Sequence, residues 1–123
     1  MLEAYSLNVT VTANSAIPFN NVTIEKGCTA RLTAPATIEL NKKGVYIVYF
    51  DGVAGTSTTV QLYKDGVAQP QAQSTGTAVS FVTLVQVPND NCCACSSSPT
   101  VLRVVNTTAG TFTNANVAVT KLC

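Results

Sequence analysis

Apolar and polar residues alternate with a period of two from Tyr5 to Val11, which predicts a β-strand with one buried and one wet face. Apolar, β-branched and aromatic residues predict further short strands along the chain, over residues 17–24, 29–33, 36–40, 45–50, 58–63, 67–69, 78–87, 100–106, 111–113 and 115–122. Such strands are typical of an all-β fold, an antiparallel sandwich or jelly roll of about ten strands with almost no helix. We expect residues 1–123 to form one domain, with an N-terminal strand and lead-in over 1–14.

Turn residues separate these predicted strands. Asp51-Gly52 is predicted to end the strand over 45–50, and Pro70 is predicted to end the strand over 67–69, before a polar loop from Gln71 to Gly76. Lys64-Asp65-Gly66-Val67 predicts a tight hairpin, because Asp-Gly suits the left-handed angles of a type I′ turn.

The strand over 45–50 is apolar on both of its faces. Val45, Ile47 and Tyr49 form one face, and Tyr46, Val48 and Phe50 form the other. One set must fill the core, but an antiparallel strand in a monomer normally presents its other face to water. Either another sheet or loop of the same chain covers the second face, or a neighbouring subunit does. We favour the second alternative and expect an oligomer.

Composition narrows the function classes. Of the 123 residues, 46% are hydrophobic and 11% are charged, and the net charge is +1 with no histidine. Catalysis by histidine and metal sites with histidine ligands are therefore excluded, and a nucleic-acid partner is not expected, because the chain lacks an excess of basic residues. No recognisable catalytic motif occurs, so we expect no enzyme activity, no catalytic residues, no cofactor and no metal site.

The five cysteines leave several interpretations open. They are Cys28, Cys92, Cys93, Cys95 and Cys123. Their odd number requires at least one free thiol or a bond between chains. The alternatives are a disulfide that ties Cys28 to the cluster over 92–95, inert reduced thiols, a structural zinc site and, least favoured, a redox-active C-x-x-C pair. The terminal Cys123 would also allow a bond between subunits or to another protein.

Several short motifs resemble the C1q/TNF-like jelly-roll family. They are Ile17-Pro18-Phe19-Asn20, Gly44-Val45-Tyr46-Ile47-Val48-Tyr49, Val60-Gln61-Leu62-Tyr63-Lys64-Asp65-Gly66 and the final stretch from Phe112 to Leu122. The resemblance covers residues 15–122. Within the family, the chain resembles the bacterial and phage branch, which includes phage virion decoration or fibre-head proteins and the C-terminal domains of collagen-like exosporium proteins.

The resemblance implies a compact homotrimer with one sheet of each subunit packed around the threefold axis. Val45, Ile47 and Tyr49 would then contact neighbouring subunits, and Tyr46, Val48 and Phe50 would point into the sandwich. Relatives of this type also bind calcium, which gives Asp51 or Asp90 a second interpretation as calcium ligands.

These observations predict a non-enzymatic trimeric structural protein on a particle surface. The interpretation we favour is a phage or prophage head-decoration or fibre-tip component. The alternative is a surface binding module, either an exosporium surface domain or a lectin-like head. It would recognise a carbohydrate or a host receptor through loops 51–58, 70–77 and 89–99. A capsid, tail or spore-surface protein would be the partner. We expect synthesis in the cytoplasm without a signal peptide, because the first residues lack a basic and an apolar region, and no apolar run is long enough for a membrane helix.

Overall fold

A computed structural model describes residues 1–27, 29–88 and 100–122. Strands make up most of this part of the chain, and none of it is helical. The strands are β1 (Leu2–Val11), β2 (Ser15–Ala16), β3 (Asn21–Glu25), β4 (Ala30–Ala34), β5 (Thr37–Leu40), β6 (Gly44–Lys64), β7 (Val67–Val87), β8 (Thr100–Asn106) and β9 (Gly110–Lys121). The all-β prediction is confirmed.

Two antiparallel sheets share the long strands β6 and β7. The first sheet has the order β3-β1-β9-β6-β7 and uses the first half of β6 and the second half of β7. The second sheet has the order β4-β5-β8-β6-β7 and uses the other halves, with β2 paired to β8. The first and last residues of β6 lie at the same end of the molecule. There Lys64 Nζ donates a hydrogen bond to the Gln86 carbonyl oxygen at 2.8 Å. We call this the lower end.

Strands β6 and β7 correct three of the predicted boundaries. Asp51-Gly52 does not end a strand, because β6 continues through it and changes sheets over residues 54–57 at the upper end, where the pairing register with β7 shifts. Pro70 and the segment over 71–76 also belong to a continuous strand. A second register shift, opposite Leu62, accommodates Pro70, and an irregular position of this kind tolerates a residue without an N–H donor.

The core lies between the two sheets. Its largest fully buried side chains include Tyr46, Phe50, Phe19 and Phe112. Phe50 lies between Phe19, whose ring meets it edge-on at 6.3 Å, and Phe81, whose ring stacks on it at 5.5 Å. Tyr46, Val48 and Phe50 are fully buried, so the predicted inward face of β6 is confirmed.

The hairpin between β6 and β7 has the predicted turn. Asp65 and Gly66 both have positive φ angles, 51° and 81°, as a type I′ turn requires, and Lys64 pairs directly with Val67. The Asp65 carboxylate also accepts a hydrogen bond from the Val101 backbone N–H at 2.9 Å, which holds the turn against β8.

Replacing Gly66 with alanine is expected to lower the free energy of unfolding by about 1–2 kcal/mol, because a side chain is strained at this left-handed position although no atom blocks it. Urea unfolding measures the change. Gly55→Ala is the matched control, since that Cβ would meet only a carbonyl oxygen at 3.9 Å. Equal losses in the two variants would contradict the strain argument.

Candidate functional site

The side chains of the first sheet that point away from the core form one continuous surface, which we call the outer face. Strand pairing arranges it in four rows, from the lower to the upper end: Leu84–Ile47–Thr120, Val82–Tyr49–Ala118–Glu3–Ile24, Ser80–Asp51–Asn116–Tyr5–Asn21 and Ala78–Val53–Asn114–Leu7. Each row runs across the strands from β7 towards β1 or β3.

The outer face collects most of the exposed large hydrophobic side chains in the described part of the chain. Of ten such residues, six belong to its rows: Leu7, Ile24, Tyr49, Val53, Val82 and Leu84. They expose on the order of 500 Å² of surface together. The mostly polar third row separates Leu7 and Val53 from the other four residues. Large apolar patches of this kind mark interaction surfaces.

A cavity of about 200 Å³ opens on the outer face between β1, β3, β6 and β9. Its floor is Ala118, whose short side chain lies between Glu3 on one neighbouring strand and Tyr49 on the other. Ile24 and Ile47 complete the apolar walls. The cavity therefore results from a small residue placed between larger ones in the same row.

Two carboxylates lie within the four rows, and no basic side chain does. The Glu3 carboxylate accepts a hydrogen bond from Thr23 Oγ1 at 2.8 Å. The Tyr49 hydroxyl donates to Asp51 Oδ2 at 3.0 Å. This hydrogen bond, together with the negative charge of Asp51, raises the pKa of Tyr49 above its ordinary value, because losing the proton would break the bond and place two anions side by side.

Asp51→Asn is expected to lower the pKa of Tyr49 towards that of an ordinary tyrosine, because the adjacent anion is removed. Titration of the Tyr49 Cζ resonance by NMR measures this. Asp65→Asn, at a turn that tolerates asparagine, is the matched control and should leave the titration of Tyr49 unchanged. An unchanged Tyr49 pKa in Asp51→Asn would contradict the assigned hydrogen bond.

Charged residues are absent from long stretches of the sequence that reach the upper end, namely residues 4–24, 52–63, 66–88 and 104–120. The described residues exposed there include Asn14, Thr56, Ser57, Thr77 and Thr108. The upper end is therefore polar but uncharged.

The predicted site residues are only part of the surface. Ile47 and Tyr49 lie in its rows, and Val45 follows in the same strand at the lower end. Their predicted contact with neighbouring subunits stays a prediction. Sequence reasoning missed Val82 and Leu84, although residues 81–85 are, apart from Thr83, apolar on both faces, which is the same signal that singled out residues 45–50.

The cysteine predictions lie outside the described residues. Cys28, Cys92, Cys93, Cys95 and Cys123 are all excluded from them, as is Asp90, so the disulfide, thiol, zinc and calcium interpretations that use them stay predictions. Within residues 1–27, 29–88 and 100–122, no three Cys, Asp or Glu side chains lie together as metal ligands. The same ranges contain no helix of the length and hydropathy needed to cross a membrane.

The fold belongs to the class of all-β jelly rolls and is similar to the folds of C1q and TNF domains. A scan against protein-family models and a search of curated protein sequences gave no match. Solved structures do match over nearly the whole chain.

Three of these structures illustrate the range of the class. The globular domain of zebrafish complement 1qA protein matches with a TM-score of 0.75 and 8% identity, over 99% of this chain and 96% of that chain. PRD1 vertex protein P5 matches with a TM-score of 0.68 and 12% identity, over 99% and 96%. The Eiger TNF of S. frugiperda matches with a TM-score of 0.67 and 12% identity, over 99% and 92%. At these identities the likeness establishes the fold.

Proposed function

We propose that this chain is a non-enzymatic structural protein that assembles as a homotrimer on the surface of a particle. The form we favour is a virion component at a capsid or fibre tip. The observation that carries the proposal is the outer face, which collects six of the ten exposed large hydrophobic side chains of the described residues and is spread over all five strands of the first sheet. A surface of this composition is suited to protein contact.

The virion part of the proposal is supported by the fold that the chain shares with a vertex protein of the phage PRD1. Composition agrees with such a role, because 11% charged residues and no histidine suit a protein that acts through shape and surface. Its attachment partner would be a capsid or tail protein.

The mass in solution is the first test. Light scattering at micromolar concentration should give three times the chain mass of 12.8 kDa. A monomer would remove the proposal, and a dimer would remove its threefold form. Immunogold labelling of particles from the source organism then distinguishes a virion from a spore surface.

A second candidate function, a surface binding module, is favoured by the uncharged upper end. Threonine, serine and asparagine side chains offer hydrogen-bond donors and acceptors to a neutral ligand such as a carbohydrate. Two of the three predicted binding loops, 51–58 and 70–77, are parts of β6 and β7, so the ligand would meet the bend of β6 at 54–57. Binding of neutral oligosaccharides that Thr56→Ala together with Ser57→Ala abolishes would support this candidate.

A further inference from the structure

All basic side chains of the chain lie in the lower half of the molecule. Strand pairing and the turns of the lower end place them there, in contrast to the uncharged upper end. They are Lys26, Arg31, Lys42, Lys43, Lys64, Arg103 and Lys121. The protein therefore has a basic end and a neutral end.

The carboxylates of the lower half are engaged away from most of these lysines. Glu25 Oε1 lies 3.8 Å from Arg31 Nε, and Glu39 pairs with the same arginine across β4 and β5. The Asp65 carboxylate accepts the Val101 backbone N–H. The excess of positive charge at the lower end therefore belongs to the lysines.

A second cavity, of about 360 Å³, opens at the lower end, where β6 begins and β7 and β9 end. We call it the lysine cavity, because Lys43 and Lys121 both line it. Val45, Val87 and Pro88 form an apolar part of its wall. Among the described residues, no carboxylate lines it.

Lys64 adds a third ammonium group beside the lysine cavity. Its Nζ donates to the backbone carbonyl oxygen of Gln86, a residue that also lines the cavity. An ammonium group has three donors, so this bond positions Lys64 Nζ and leaves two donors for a ligand. Lys64 and Lys121 pair with the buried residues Leu102 and Tyr46, which belong to different sheets. The lysine cavity thus lies at the lower mouth of the sandwich, between the two sheets.

The chemistry of the lysine cavity favours carboxylates over phosphates or sulfates. A polyanion such as nucleic acid is normally bound by a long row of basic residues, and planar arginine groups fit phosphate best. Here the basic residues near the cavity are all lysines, and Glu25 and Glu39 interrupt the basic surface beyond it. The apolar wall adds a contact for the side chains of a protein segment.

We propose that the lysine cavity binds an acidic segment of the attachment partner, with its carboxylates on Lys64 and Lys121 and an apolar side chain against Val45 and Val87. Opposite charges of this kind steer two proteins together and fix their orientation. The neutral upper end would then point away from the particle. This inference rests on the proposed function and specifies the chemistry of the partner.

Fluorescence anisotropy with a labelled hexaglutamate peptide tests the site. The native chain should bind the peptide, and Lys64→Gln together with Lys121→Gln should weaken binding at least about tenfold, because each change removes a charge-assisted hydrogen bond. Lys26→Gln together with Arg103→Gln is the matched control, since it removes the same charge from the same half of the molecule but away from the cavity. The control should change binding less than about twofold. Equal weakening in both double variants would overturn the proposed site.

Lys121→Gln alone keeps the test valid if the double variant does not fold, and it should still weaken binding at least about threefold. Unlabelled heparin and a DNA oligonucleotide serve as competitors. Stronger competition by either than by unlabelled hexaglutamate would overturn the proposal in favour of a sulfate or phosphate polymer.

The lysine cavity belongs to a single chain, so its failure and that of the proposed function are distinguishable. A trimer that does not bind the peptide overturns this inference alone. A monomer that binds the peptide and loses binding in Lys121→Gln removes the proposed trimer and leaves the acidic ligand standing.

Discussion

Tyr49→Asp is expected to give a folded monomer in place of the proposed trimer. Tyr49 lies near the centre of the outer face, between Val82 and Ala118 in its row, and points away from the core. A carboxylate at this position would be buried beside Asp51 on assembly, without a basic partner in the rows. Burying a carboxylate without a compensating positive charge costs about 3–5 kcal/mol. This cost corresponds to at least about a hundredfold weaker association at each contact.

Size-exclusion chromatography with light scattering measures the assembly, and circular dichroism verifies the fold of the variant. Val67→Asp is the control, since it adds the same charge to an exposed valine of the second sheet, outside the rows of the outer face. A fully trimeric Tyr49→Asp at low micromolar concentration would show that the outer face is not the contact surface.

Phe50→Ala is expected to cause the largest loss of subunit stability, about 3–5 kcal/mol. Phe50 is fully buried in the core, and its ring contacts Phe19 and Phe81. The loss has two parts, the transfer of the ring out of the core and the cavity that the rigid sheets cannot close. A loss of this size is a large fraction of the total free energy of unfolding of a small domain.

Chemical denaturation of Phe50→Ala and Phe50→Leu separates these contributions, because leucine refills much of the space and should cost less than alanine. Val67→Ala, at an exposed position, should change the free energy of unfolding by less than about 0.5 kcal/mol. A loss below about 1 kcal/mol in Phe50→Ala would mean that burial of this ring contributes little to the stability of the core.

Local signals were sufficient for part of this fold. The alternation that places Tyr46, Val48 and Phe50 inside is a property of one strand, and the Asp65-Gly66 turn depends on the left-handed angles of two adjacent residues. Both could be predicted because the period of a strand and the angles of a turn require no knowledge of distant residues.

The continuity of β6 could not be predicted from the sequence, because an Asp-Gly pair such as Asp51-Gly52 usually ends a strand. Glycine is favoured at position 52 because of residues that are distant in the sequence. A Cβ there would come within 3.2 Å of the Asn114 carbonyl oxygen and of Phe112 Cδ2. The outer face is equally non-local. Its rows exist only once the registers between β1, β9, β6 and β7 are set, so Val45, Ile47 and Tyr49 could be identified from one strand while the cavity above Ala118 could not.

The pairing of β1 with β9 has a consequence for biosynthesis. Leu2 pairs with Val119, and the two strands remain in register up to Val11 and Gly110, so β1 gains its principal neighbour only after β9 has been made. Contacts of such sequence separation form late and slowly. The cavity and the rows across it therefore do not exist on an incomplete nascent chain, and a prematurely terminated chain that lacks β9 cannot form them.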